Sequence, residues 1–251
     1  MTVYAHPELN LTDPGKGYAH FVLYTEPRLN VAGAAWNATI NIELDSPYVQ
    51  EWVDRLQRCE PNALHTTFVM NREIPRLFHP CVDEDKTSPA ANGGNCHCFR
   101  TWTDPEYGLP VVGRHSRSAG QDRWIYMTYA PLALRPDDVV YSVVADRGDV
   151  FWARTTGGVL AVLPMLESSG YGAGPRSGTG GASTFGAYLQ QLVDSEGRDT
   201  AAKGRDTSSR QLVNWVRSDA AHRQELVLRD LAATFPGFSP DTSPSAETPA
   251  Q

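Results

Sequence analysis

The sequence predicts an α+β fold: a mostly antiparallel sheet, one early helix, and two C-terminal helices packed on one face. Three observations carry this. Strand-type segments dominate the middle of the chain, helical periodicity is concentrated in the last third, and a composition of 41% apolar and 20% charged residues is that of a chain that folds. At 251 residues the chain is long enough to bury a substantial core. One globular domain is expected over 1–238. The segment 239–251, SPDTSPSAETPAQ, has no apolar periodicity and is expected to be a disordered tail.

The elements follow in order. Tyr18 to Thr25 is apolar on both faces and reads as an interior strand carrying His20. Trp36 to Leu44 alternates, with Trp36, Ala38, Ile40, Ile42 and Leu44 on the core face and Asn37, Thr39, Asn41 and Glu43 on the other. Asp45-Ser46-Pro47 then starts a helix, a capping side chain followed by a proline in the first turn, and Tyr48, Val49, Trp52, Val53 and Leu56 form its apolar stripe as far as Arg58 or Cys59. Leu64 to Met70 reads as a strand carrying His65. The stretch Asp104 to Gly120 is turn-rich, with a short edge strand within Tyr107 to Val112, and Arg114, Arg117 and Arg123 read as lying on a solvated loop. Arg123 to Ala130, Asp138 to Ala145, Val150 to Arg154 and Gly157 to Leu163 are further strands by their β-branched and aromatic content.

In the last third, Phe185, Tyr188, Leu189, Leu192 and Val193 fall at helical spacing, and Ser208 with Gln211 matches a capping box opening a long helix from Leu212 to Phe235. The glycine-rich stretch Ser168 to Gly181 lies between an apolar run and the first of these helices. That layout can cradle phosphate on backbone amides, the basis for one alternative, a nucleotide-using enzyme. It has neither Gly-Lys-Ser/Thr nor Gly-x-Gly-x-x-Gly, so a surface loop or active-site lid is the preferred reading.

Reactive side chains converge on His79 to Cys98, HPCVDEDKTSPAANGGNCHC, which holds three of the four cysteines and two of the seven histidines. Pro80 gives His79 and Cys81 a defined exit from the backbone, and Pro89, Asn92, Gly93, Gly94 and Asn95 turn the chain back toward Cys96, His97 and Cys98. Two sulfur-bearing halves joined by a loop suit a tetrahedral zinc site, with His79, Cys81, Cys96 and Cys98 as its ligands and His97 as the alternative histidine. The CHC spacing departs from the usual two-residue spacer. A disulfide from Cys81 to Cys96 or Cys98, or free thiols, are the competing readings.

A catalytic reading places Cys96 at the start of a helix capped by Asn95, with His20 or His65 as the base on a strand. A cysteine- or metal-dependent hydrolase or group-transfer enzyme is therefore carried as a second alternative. The preferred function is a non-catalytic binding or assembly protein with a stapled loop, because no complete triad can be placed. A net charge of −7 disfavours bulk attraction to nucleic acid, and no apolar run is long enough to span a bilayer. The N-terminus lacks the basic and apolar regions of a signal peptide, so a cytoplasmic setting is expected, and with it reduced thiols.

Overall fold

A computed structural model describes residues 3–4, 22–23, 39–62, 65, 79–88, 91–92, 95–118, 121–147, 150–165, 170–202 and 209–234. His20, most of the strand expected over 18–25, and the C-terminal tail lie outside the described residues. The architecture is α+β with antiparallel sheets.

A six-stranded sheet is built from β3 (Thr39–Glu43), β4 (Gln57–Arg58), β5 (Ala91–Asn92), β6 (Asn95–Asp104), β7 (Leu109–Ser118) and β8 (Gln121–Tyr129). Its order is β3-β8-β7-β6-β4, with β5 paired to β6. A four-stranded sheet follows from β9 (Val140–Ala145), β10 (Phe151–Thr155), β11 (Leu160–Val162) and β12 (Glu225–Val227), in the order β11-β10-β9-β12. The short strands β1 (Val3–Tyr4) and β2 (Val22–Leu23) pair with each other.

Alternation along β9, β10 and β11 divides the interior. Val143, Ala145, Phe151, Ala153 and Ala161 meet Phe185, Leu189, Leu192, Leu212 and Val216 from the late helices. Their neighbours Val144, Trp152, Leu160 and Val162 turn the other way, onto Ile42, Val49, Trp52, Val111 and Tyr126. Since successive strand residues point to opposite faces, the four-stranded sheet is the middle layer between the helices and the larger sheet.

Helix α1 (Pro47–Asp54) begins as its sequence dictates, with the Ser46 hydroxyl accepting from the Val49 amide at 3.2 Å and Pro47 in the first turn. It stops at Asp54, earlier than the apolar stripe suggests. Arg55, the capping residue, turns inward to Asp104 and the Leu160 carbonyl, and Gln57 and Arg58 pair with β6 instead. Leu44 lies past the end of β3 and is exposed, so only Ile42 of that face is shown in the core.

Helix α2 (Thr179–Asp194) buries the whole expected set, Phe185, Tyr188, Leu189, Leu192 and Val193. The long C-terminal helix does not form. α3 (Arg210–Val216), capped by Ser209, gives way to a 3-10 turn at Asp219–Ala221, then β12 and α4 (Leu228–Thr234). Arg223 takes a left-handed φ of 58°, which a helix cannot continue through, and the open edge of β9 captures Glu225 to Val227. The glycine-rich loop is also not free-standing in its described part: Tyr171 to Gly174 are buried. A Cβ on Gly172 would sit 2.9 Å from the Ser177 Cβ, and one on Gly181 3.1 Å from the Gly172 nitrogen, so these glycines let the loop lie against the first turn of α2.

The largest departure is at β7. What reads as a turn-rich stretch is a ten-residue central strand, hydrogen-bonded to β6 on one side and β8 on the other. Gly113 in its middle is there for space. An added Cβ would come within 2.6 Å of the Trp102 ring, which lies across the strand and meets Trp124 and Tyr126 at 6.1 and 5.6 Å. Gly113→Ala should therefore destabilise by about 1–3 kcal/mol through overpacking, read as a lowered denaturant midpoint. An unchanged midpoint would mean that the Trp102 ring moves aside freely.

Candidate metal centre

Strand β6 presents Cys96 and Cys98 two residues apart on one face, and His97 between them points outward and is exposed. The CHC spacing thus suits a strand as CxxC suits a turn. Cys98 is paired across the ladder with His115 of β7, and His115 in turn with Trp124 of β8. The fourth member is Cys81, carried by the turn over 79–88.

That turn is tied down at several points. The Cys81 carbonyl accepts from the amides of Glu84 and Asp85, both at 2.8 Å, and Asp85 accepts from the amide and hydroxyl of Thr87. Glu84 reaches Arg58 of β4 at 2.6 Å and Arg100 of β6 at 3.3 Å. Arg58 beside it holds the Glu84 carboxyl below its ordinary range. Asp83 takes both Arg117 terminal nitrogens, at 2.7 and 2.8 Å.

Cys81, Cys96, Cys98 and His115 bring their four ligand atoms within 4.8 Å of one another. Cys81 Sγ lies 3.7 Å from Cys96 Sγ and 3.2 Å from His115 Nδ1, and Cys98 Sγ lies 3.8 Å from the same nitrogen. A tetrahedral zinc about 2.3 Å from each sulfur and about 2.0 Å from nitrogen has edges of about 3.8 Å (S to S) and about 3.5 Å (S to N). These three separations lie within about 0.3 Å of those edges. All four cysteines are free thiols, so the Cys81 to Cys96 or Cys98 disulfide is not formed.

The group is sealed. The three cysteines are 0% exposed and His115 1%. Burial pushes the Cys81 and Cys98 thiols up from their ordinary range, most strongly Cys98, where the neighbouring sulfurs add to the effect. A divalent cation among them would reverse that preference, since coordinated thiols are deprotonated. Around the histidine, Nε2 meets Asp122 Oδ1 at 2.6 Å and the ring stacks on Trp124 at 4.5 Å between centroids, tilted by 4°. Asp122 also pairs with Arg117 at 2.6 Å, and its carboxyl is held low by that guanidinium first and by His115 second.

The site residues expected from sequence fall out as follows. Cys81, Cys96 and Cys98 are brought together, and the histidine with them is His115, while His79 is half-buried and outside the group. Cys96 does not start a helix: Asn95 and Cys96 open β6, which removes the helix dipole that would activate the thiol, and the sulfur is fully buried. His65 is helical rather than on a strand, and the rest of 64–70 lies outside the described residues. Its Nε2 bonds the Trp102 carbonyl at 2.8 Å, and Nδ1 accepts from the Asn62 amide at 3.3 Å, so both ring nitrogens are committed. Burial lowers its pKa. Arg114 and Arg117 are on β7 and Arg123 on β8, rather than on a loop.

His115 was reachable from sequence through the hairpin turn. Asp104-Pro105-Glu106-Tyr107-Gly108 closes with Gly108 at φ 65° and its amide bonded to the Asp104 carbonyl at 2.8 Å. Six residue steps outward from the Asp104 and Leu109 pair lead to Cys98 opposite His115. What the residues define is a buried Cys3His group that can hold a metal ion. No known protein family, curated protein or solved structure matches the chain, so the reading of this site rests on its own geometry. Among the described residues no helix is long and apolar enough to cross a membrane.

Proposed function

We propose that the chain is a non-catalytic binding or assembly protein in which one zinc ion, held by Cys81, Cys96, Cys98 and His115, staples the turn over 79–88 to strands β6 and β7. One observation carries this: four ligand atoms of zinc-binding type within 4.8 Å, contributed by four fully buried side chains. Structural zinc sites have four protein ligands and are closed, whereas catalytic zinc keeps three and an open position for water or substrate. Three thiolates and an imidazole also suit zinc better than the oxygen-preferring magnesium or calcium.

The test is native mass spectrometry and elemental analysis of the full chain, followed by iodoacetamide labelling at neutral pH. One zinc per chain is expected, with Cys81, Cys96 and Cys98 unlabelled until a chelator and denaturant are added. A metal-free folded chain with one hyper-reactive cysteine would overturn the reading and favour a thiol enzyme.

A further inference from the structure

We propose that Asp122 is the positioning residue of this centre: it fixes His115 in the tautomer that ligates metal through Nδ1, and Arg117 fastens its carboxylate to the turn carrying Cys81. The inference rests on the metal-binding reading of the four-residue group and adds to it a part that lies outside the ligand set.

The geometry at the ring is directional. Nδ1 is the atom that faces the sulfurs, 3.2 Å from Cys81 and 3.8 Å from Cys98, while Nε2 faces Asp122 Oδ1 at 2.6 Å. An ionised carboxylate only accepts hydrogen bonds, so the proton of a neutral imidazole sits on Nε2 and the Nδ1 lone pair is left for a cation. Stacking on Trp124, with the planes 4° from parallel, keeps the ring from rotating out of that arrangement. A carboxylate behind a ligating histidine orients the ring and raises its basicity.

Arg117 gives Asp122 a second task. Its guanidinium bonds Asp122 through Nε at 2.9 Å and Nη2 at 2.6 Å, and Asp83 through Nη1 at 2.7 Å and Nη2 at 2.8 Å. Asp83 is two residues from Cys81 and Asp122 is the cross-strand partner of Arg117. One guanidinium therefore spans the two halves of the metal group, the turn and the hairpin. These partners are surface groups, Asp122 being 48% exposed, so replacing it opens no cavity in the core.

The experiment uses the full chain in competition for zinc with a chelator of known affinity, with long-range proton–nitrogen NMR of the His115 ring in the zinc-loaded state. The native protein is expected to show hydrogen on Nε2 and metal on Nδ1. Asp122→Ala should weaken zinc binding by about 10–100-fold, and Asp122→Glu should recover part of that loss. Glu196→Ala, which removes an exposed carboxylate from the ion pair with Arg198, should leave affinity within about twofold and controls for net charge. Hydrogen on Nδ1 in the zinc-loaded native chain, an Asp122→Ala affinity within twofold of native, or an equal loss in Glu196→Ala would each overturn the inference. Native protein that takes up no zinc would instead overturn the metal reading itself.

Discussion

Cys96→Ser and Cys81→Ser are each expected to abolish stoichiometric metal and to lower the melting temperature on the order of 10 °C. The size follows from linkage. A ligand present at about a thousand times its Kd stabilises the folded chain by about 4 kcal/mol, and in a domain of this length each kcal/mol moves the midpoint by about 2–4 °C. A serine hydroxyl cannot replace a thiolate on zinc, and three remaining donors at a sealed site leave the tetrahedron incomplete. Both variants should still fold, because the core between the sheets and the helical layer are built from other residues. Cys59→Ser is the control. Cys59 is half-buried, outside the four-residue group, and its sulfur touches only Thr103 Oγ1 at 3.5 Å and His65 Nε2 at 3.6 Å among the contacts described. It should keep full metal content. Equal metal in native protein, Cys81→Ser and Cys96→Ser, measured by elemental analysis after gel filtration, would sink the zinc staple.

The contrast between Cys81 and His115 shows what a sequence can disclose about such a site. Three of the four members of the Cys3His group lie within eighteen positions, and turn-forming residues between them are enough to suggest that the ends meet. His115 lies seventeen residues beyond Cys98, and no local spacing links it to the cysteines. Its place depends on the register of β6 against β7, and hence on recognising the turn at Pro105 to Gly108. The same locality decides the helices. The Ser46-Pro47 start and the Phe185 to Val193 stripe are written in neighbouring residues and form as read. The long helix expected from Leu212 to Phe235 does not form, because Leu226 and Val227 fit helical spacing and strand pairing alike. The choice was made by the free edge of β9, where Glu225 also accepts from Ser142 at 2.5 Å and Arg154 at 3.1 Å. Tertiary pairing overrides propensity where both patterns fit the same residues.

Asp104→Ala is expected to cost about 3 kcal/mol, because it leaves a part-buried cation uncompensated and a fully buried indole unpaired. Asp104 is 1% exposed at the far end of β6 from the cysteines. It accepts from Trp52 Nε1 at 3.1 Å, from Arg55 Nε at 3.2 Å and Nη2 at 2.7 Å, and from the Glu106 amide at 3.0 Å. Arg55 also donates to the Leu160 carbonyl, so this one ion pair joins α1 to both sheets. Trp52 is held by it between Tyr126 at 6.1 Å and Trp152 at 5.7 Å, the aromatic contact where the two sheets meet. Removing the carboxylate alone should hurt more than removing the pair, since the Arg55 guanidinium, on a side chain only 19% exposed, would be left part-buried without its partner. The double variant Asp104→Ala with Arg55→Met should therefore recover part of the loss, and a double-mutant cycle in urea isolates the coupling. Zinc content, measured on folded Asp104→Ala below its midpoint, should stay at one per chain if the metal group is an independent fastening at the other end of the strand. A single-variant cost below about 1 kcal/mol would show that α1 is held by its apolar face alone, with the Asp104 network contributing little beyond it.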